Sequence, residues 1–404
     1  MSRQDALSEW TQTVSSNLPH LSKPQATVLA LWSYGIACTR SCGRRTVATF
    51  LALLLSHKVG TVEQRLREWC YDAADKRGDK RQSLEVTTCF VPLLRWIVRL
   101  WTGTALALAL DATTLSDRFV VLTVSVVYRG CGIPVAWTIL PAGQKGAWRK
   151  EWLRLLRRLR PAIPPDWTVL VLADRGLYAP WLFRRIVRLG WHPFLRINQA
   201  AKFRPAGQAT WYWLRELVGQ VGQRWRGAGS AFVTKESRLD CTLVAWWGDG
   251  YKEPWFILTD LAPDGCDASW YGLRTWCEQG FKVYKRGGWQ WQQTRMTDPD
   301  RAARLWLALA VATVWMVSIG TSVEVEASGA PVDLPDLSAL LERRATCPRR
   351  TRLFRLGWLW LLVRQITAQA LPLPQRLVPE PWPEVPQRLE VLLPHQQALS
   401  YASV

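Results

Sequence analysis

Two stretches constrain the fold of this 404-residue chain more than any others: ALALAL, which runs into Asp111, and VLVLA, which runs into Asp174. A short unbroken apolar run bounded by turn residues reads as a strand buried on both faces, and such strands belong to sheets covered by helices. Phe119 to Tyr128 and Ile133 to Leu140 add two further β-type runs. Helical patterns follow from Gly146 to Arg160 and from Ala179 to Leu189, on either side of the second Asp-terminated run.

The order strand, strand, strand, helix, strand, helix is the layout of an RNase H-like α/β domain. The expected fold class is therefore α/β: an RNase H-like core with a β-rich insertion, plus a helical N-terminal domain and a helical C-terminal region. Residues 1–100 read as a helical DNA-binding domain, 101–199 as the first part of the core, 200–265 as the insertion, 266–320 as the second part of the core, and 321–404 as a helical region with a Pro-rich tail. The tail includes a short helix around Ala339 and an Arg cluster from Arg343 to Arg355. Leu305 to Gly320 is a sixteen-residue apolar run, short of the roughly 20 residues a membrane span needs, and reads as a buried core helix.

A formal charge of +20 points to a polyanionic partner, because each neutralised phosphate releases a condensed counterion. Arg far outnumbers Lys, and the Arg fork matches phosphate in two parallel hydrogen bonds. Within the helical N-terminal region, Thr61 reads as an N-cap to a segment carrying Arg65 and Arg67 after a short turn. That fits either a DNA-reading helix-turn-helix or a plain three-helix bundle with solvated arginines. Arg154, Arg157, Arg158, Arg184, Arg185 and Arg188 either line a DNA channel or form solvated helix faces. Nine cysteines without a CxxC pair argue against zinc, and with the polar N-terminus MSRQDALSEW they suggest a cytoplasmic protein, associated with the nucleoid and with no membrane.

Each of the two strand-end aspartates alone more often starts a turn than binds a metal, but two that end apolar strands can converge at one sheet edge and supply hard oxygen ligands to Mg2+. Tyr271, Arg274, Glu278 and Lys285 add the pattern Y-x2-R-x3-E-x6-K. On a regular α-helix these four fall within roughly 60° of arc, a face distinct from that of Leu273, Cys277 and Tyr284, which would pack on the sheet. In a chain of this composition the pattern arises by chance on the order of once in a thousand.

On ALDATT, VLADRGLY and YGLRTWCEQGFKVYK, the chain resembles the insertion-sequence-four family of DDE transposases, whose hallmark is this YREK signature. The likeness spans roughly Ala105 to Ile319. It implies that Asp111, Asp174 and Glu278 hold two Mg2+ ions, with Mn2+ able to substitute, and that Tyr271, Arg274 and Lys285 contact phosphates. It further implies cut-and-paste DNA transposition: cleavage of double-stranded DNA at terminal inverted repeats, strand transfer into target DNA, and a dimer in the DNA complex. Members stack a flipped base on an aromatic ring, and Trp276, Trp289 and Trp291 lie nearest the motif. The competing readings are a nuclease or resolvase that never joins DNA, a domesticated DNA-binding protein, and a membrane protein built on Leu305 to Gly320.

Overall fold

Apolar residues at helical spacing set the first helices: α1 (Arg3–Asn17), α2 (Lys23–Thr39), α3 (Arg44–Leu55) and α4 (Val59–Trp69). The computed structural model describes residues 3–76, 78, 81–144, 146, 148–329 and 353–386. The helix expected around Ala339, most of the Arg343 to Arg355 cluster and the end of the Pro-rich tail lie outside the described residues. Two units divide the chain: Met1–Gly103, Ala112–Pro164 and Trp276–Pro379 form the first, and Thr104–Asp111, Pro165–Thr275 and Glu380–Val404 the second.

In the first unit, Ser22 and Gln25 form a capping box at the start of α2, with the Ser22 N–H donating to Gln25 Oε1 at 3.0 Å. Residues 56–58 join α3 to α4 in a tight turn, with Ser56 at φ 55°. The N-cap of α4 is Lys58 rather than Thr61, which sits inside the helix; Val62, Leu66 and Trp69 make its buried stripe. A fifth helix, α5 (Phe90–Leu100), completes the N-terminal set, and β2 (Phe119–Tyr128) pairs antiparallel with β3 (Cys131–Pro141). Arg129 and Gly130, both at positive φ, turn that hairpin, the geometry that matches the twist of its strands. Against the hairpin packs α6 (Arg149–Leu159), through Trp152, Leu155, Leu156 and Leu159.

A helix of 31 residues, α10 (Pro299–Gly329), runs through this unit and is nearly twice the length of the apolar run that marks it in the sequence. By length and composition it is long enough to cross a membrane, but nearly all of its most apolar stretch is buried inside the protein. Trp10 stacks on Trp315 at 4.2 Å, and Trp137 Nε1 donates to the Ala303 carbonyl at 3.1 Å. Near its start, buried Arg304 donates to the carbonyls of Leu84 (3.0 Å) and Cys70 (2.6 Å) and pairs with Asp72. Another helix, α11 (Leu353–Ile366), crosses α10 so closely that a Cβ on Gly357 would overlap the Met316 carbonyl oxygen.

The second unit is a mixed sheet. Residues 105–110 of β1 (Ala105–Leu115) run parallel to β4 (Thr168–Ala173), which runs parallel to β5 (His192–Arg196). Between β4 and β5 lies α7 (Pro180–Arg188). The segment read as an insertion supplies β6 (Lys202–Pro205), β7 (Tyr212–Trp213), β8 (Arg224–Ala231), β9 (Leu239–Trp246) and β10 (Trp255–Thr259), and the four-residue helix α8 (Leu214–Leu217). It continues the same sheet, because β10 pairs antiparallel with β5 and the order runs β1-β4-β5-β10-β9-β8-β6-β7. These strands and helices make a mixed α/β protein.

Candidate active site

Register brings the two aspartates together. The last parallel pair of β1 and β4 is Leu110 with Ala173, so Asp111 and Asp174 are the next residues along two neighbouring strands. The sequence reading ends the first strand at Leu110; in the structure β1 continues to Leu115, because the β-branched Thr113 and Thr114 prolong the extended chain. Asp111 is thus a strand residue and is buried, whereas Asp174 starts a turn. In that turn Asp174 Oδ1 accepts from the Gly176 N–H at 2.9 Å.

One cation joins both carboxylates. Arg274 Nη2 lies 3.1 Å from Asp111 Oδ1 and 3.3 Å from Asp174 Oδ2, and all three groups belong to the second unit. A pair of carboxylates gathered about a single positive charge is the donor chemistry that suits a hard divalent ion. Among the described residues no three His, Cys, Asp or Glu side chains gather as a ready-made metal site.

Tyr271 is buried beside these groups. Burial pushes its hydroxyl up to about 12, against the opposing pull of the Arg274 and Arg196 charges. Its ring meets Trp255 edge-on at 5.3 Å and carries the Arg196 guanidinium at 5.8 Å, while the hydroxyl has no well-formed hydrogen bond. Arg196 in turn pairs with Glu253 at 2.8 Å, as does Arg175 at 2.9 Å.

The motif segment is not the single regular helix its spacing suggests. Ala268–Arg274 is a 3-10 helix, capped by Asp267 accepting from the Ser269 N–H at 2.9 Å. An α-helix, α9 (Thr275–Lys282), follows, and then a wider turn, Val283–Gly287, in which Lys285 leaves helical geometry at φ −87°, ψ −124°. In a 3-10 helix residues three apart eclipse, so Tyr271 and Arg274 share a face for a reason other than 100° spacing. Nor do packing and functional faces separate by burial: Leu273, Cys277 and Tyr284 are buried as expected, but Tyr271 and Arg274 are buried too.

Glu278 is exposed in the first turn of α9, in the first unit. That helix rests on β3 at a point of backbone contact. A Cβ on Gly132 would lie 3.1 Å from Cys277 Cα, and one on Gly280 would lie 2.7 Å from the Gly132 oxygen. Lys285, in the same unit, donates from Nζ to Thr113 Oγ1 at 2.8 Å, and burial lowers the affinity of its amine for a proton. Thr113, within ALDATT, is the partner of Lys285 and a residue that the sequence reading does not single out.

Two of the three aromatic candidates are core residues. Trp289 and Trp291 are fully buried: Trp289 Nε1 donates to Thr313 Oγ1 at 3.0 Å, and Trp291 packs edge-on against Trp306 at 5.1 Å. Trp276 is half-buried. Arg65 and Arg67 are exposed on α4.

No curated protein matches the chain. Among solved structures, the cryo-EM structure of a piggyBac transposase synaptic complex with hairpin DNA matches with a TM-score of 0.30 and 9% identity, covering 82% of this chain and 79% of that one. That score is too low to carry a fold assignment. The family model described as "Transposase DDE domain" matches residues 106–315, more than half of the chain. The chain belongs to the Transposase DDE domain family.

Proposed function

We propose that this chain is a DNA transposase that cuts at the ends of a mobile element and joins the freed strands to target DNA, as YREK-signature enzymes do. The reading rests on one relationship above all: Arg274 bridges Asp111 and Asp174 within a chain of this family. The two aspartates fit a divalent ion by their chemistry, and with Glu278 they would hold two Mg2+ ions. Such ions, when bound, activate water or a 3′-hydroxyl and stabilise the leaving oxygen.

The protein's own groups do the rest of the work. Arg274, once its carboxylates are otherwise neutralised, offers its fork to a phosphate. Tyr271 has a buried hydroxyl without a good acceptor, which a phosphate oxygen would satisfy. Lys285 adds a positive charge where negative charge grows during transfer. Further from the chemistry, α3 and α4 have the short connection of a helix-turn-helix, and exposed Arg65 and Arg67 would meet the DNA backbone. Trp276 is the remaining candidate for stacking a flipped base. An RNase H-like core and a dimer in the DNA complex belong to the same reading.

The test is cleavage and strand transfer with Mg2+ on DNA that includes the sequences flanking the gene. D111N, D174N and E278Q should each lose both activities by at least about a thousandfold while still binding DNA. Undiminished cutting by any of the three would overturn the assignment. Cutting of that DNA without joining of precut ends would leave a nuclease instead.

A further inference from the structure

We propose that the outward face of β6 and β7 is a contact surface for the phosphate backbone of duplex DNA, remote in sequence from the carboxylates and the YREK motif. The inference rests on the transposase reading above and adds a second DNA contact to it.

Alternation along β6 turns Phe203 inward, edge-on against Trp225 at 5.6 Å, and so sends Lys202 and Arg204 to the opposite face. Lys202 stands directly across from Trp213 in the β6-β7 register. Its Nζ lies 4.4 Å from the Trp213 ring centroid, and the Arg215 guanidinium lies 5.4 Å from the same ring. Trp211, two residues before Trp213, likewise carries Arg204 at 5.3 Å and Arg238 at 5.6 Å. Two tryptophans therefore hold four cations.

Among the described residues none of these four cations forms an ion pair. Two nearby carboxylates hydrogen-bond to neutral donors instead: Glu216 accepts from the Trp213 N–H at 2.8 Å, and Asp240 from the Ser230 hydroxyl at 2.8 Å. Arg224 shows what a purely structural cation looks like in this sheet. It lies over Trp246 at 4.6 Å but is neutralised by Asp267 at 2.8 Å.

Four unneutralised like charges at a sheet edge repel one another, and a polyanion relieves that repulsion. Stacking fixes the plane of a guanidinium while leaving N–H groups for phosphate oxygens; Arg204 and Arg215 keep that edge, whereas Arg238 already donates from Nη2 to the Val233 carbonyl at 3.0 Å and contributes mainly its charge. Because the rings already carry cations, they act as holders of charge rather than as platforms for bases. The contact is consequently independent of sequence, the same for element ends and for target DNA.

The experiment measures the affinity of full-length protein against salt concentration for two duplexes, one from the DNA flanking the gene and one of random sequence. A variant with K202Q, R204Q, R215Q and R238Q should weaken both equally, by at least tenfold at about 0.1 M salt. Its salt slope should fall by roughly 0.9 for each phosphate that the variant no longer neutralises, with unchanged thermal unfolding. If that variant melts early, R204Q/R215Q carries the same test with a smaller slope change. Unchanged affinity and slope in a folded variant would overturn the surface, as would a loss confined to one duplex. Wild-type protein that binds neither duplex would overturn the transposase reading and this surface together, whereas tight wild-type binding that the variant retains removes only the surface.

Discussion

The Nη2 nitrogen of Arg274 stands 3.1 Å from Asp111 and 3.3 Å from Asp174, so one buried guanidinium neutralises two carboxylates that strand register forces side by side. Removing one partner of a buried pair leaves the other charge uncompensated. Here two like charges would be left facing each other.

Arg274→Gln should therefore destabilise the metal-free protein by on the order of 1–3 kcal/mol, the lower end reflecting the half-exposed Asp174. Mg2+ should raise the melting temperature of the variant more than that of the wild type, because a divalent ion takes over the neutralisation. Thermal unfolding with and without Mg2+ checks both. Equal stability of the two proteins without the ion would show that the aspartates do not depend on Arg274.

Tyr271 is one of several buried groups, with Tyr284 and the thiols of Cys42, Cys70, Cys89, Cys241 and Cys266, whose burial weakens the fold at alkaline pH. Its folded hydroxyl is pushed up to about 12 from an ordinary value near 10, so between those values the folded state holds a proton that the unfolded state has lost. The stability this contributes is present below pH 10 and is lost as pH rises toward 12. Tyr271→Phe should remove its share of that decline and leave the share of the buried thiols, which urea titrations from pH 9 upward would read as a profile less steep than that of the wild type.

Gly280→Ala should injure activity more than stability. The added Cβ meets the Gly132 carbonyl oxygen, a backbone atom that cannot swing away, so α9 must shift off β3 and carry Glu278 with it. Overpacking of this kind costs about 1–3 kcal/mol, but displacement of the proposed metal ligand Glu278 by about 1 Å would cost on the order of a hundredfold in rate. Comparing melting temperature with cleavage rate separates the two. A variant that melts like wild type and cuts at full rate would show that α9 tolerates the shift.

How far the sequence could be read depended on whether the relevant force was local. ALALAL and VLVLA announce buried strands, and the shared register of Asp111 and Asp174 follows once those strands are neighbours. The YREK segment was legible as a spacing of residue types but not as a shape. Periodicity cannot distinguish 3-10, α and wider turns, because which carbonyl each N–H chooses is settled by packing, as where the Trp289 N–H reaches back to Val283 at 2.8 Å. Trp289 and Trp291 look like available rings in a one-dimensional text, and only the course of α10 shows them to be core. The Trp211 and Trp213 surface hides for a related reason: its i, i+2 spacings are visible, but pairing Lys202 with Trp213 requires strand register.

Lys285 poses a trade of stability for function. Burial disfavours its charged form, so its folded affinity for a proton lies below the ordinary lysine range near 10.5. At pH 7 to 8 the folded protein carries the charge at a cost that the unfolded chain does not bear. That cost is fully present below the folded value and vanishes as pH rises through 10.5, where the lysine is neutral in both states; in the window between, stability climbs with pH. Lys285→Met should accordingly stabilise the fold near neutrality, by an amount that shrinks above pH 10, while its DNA affinity and strand transfer both fall. The sign is the diagnostic point. Were Lys285 retained for structure, through its 2.8 Å bond to Thr113, the methionine variant would be the less stable protein at neutral pH. Urea unfolding at pH 7.5 and at pH 10.5, measured beside strand transfer, distinguishes a residue kept to hold the fold from one kept to meet a phosphate.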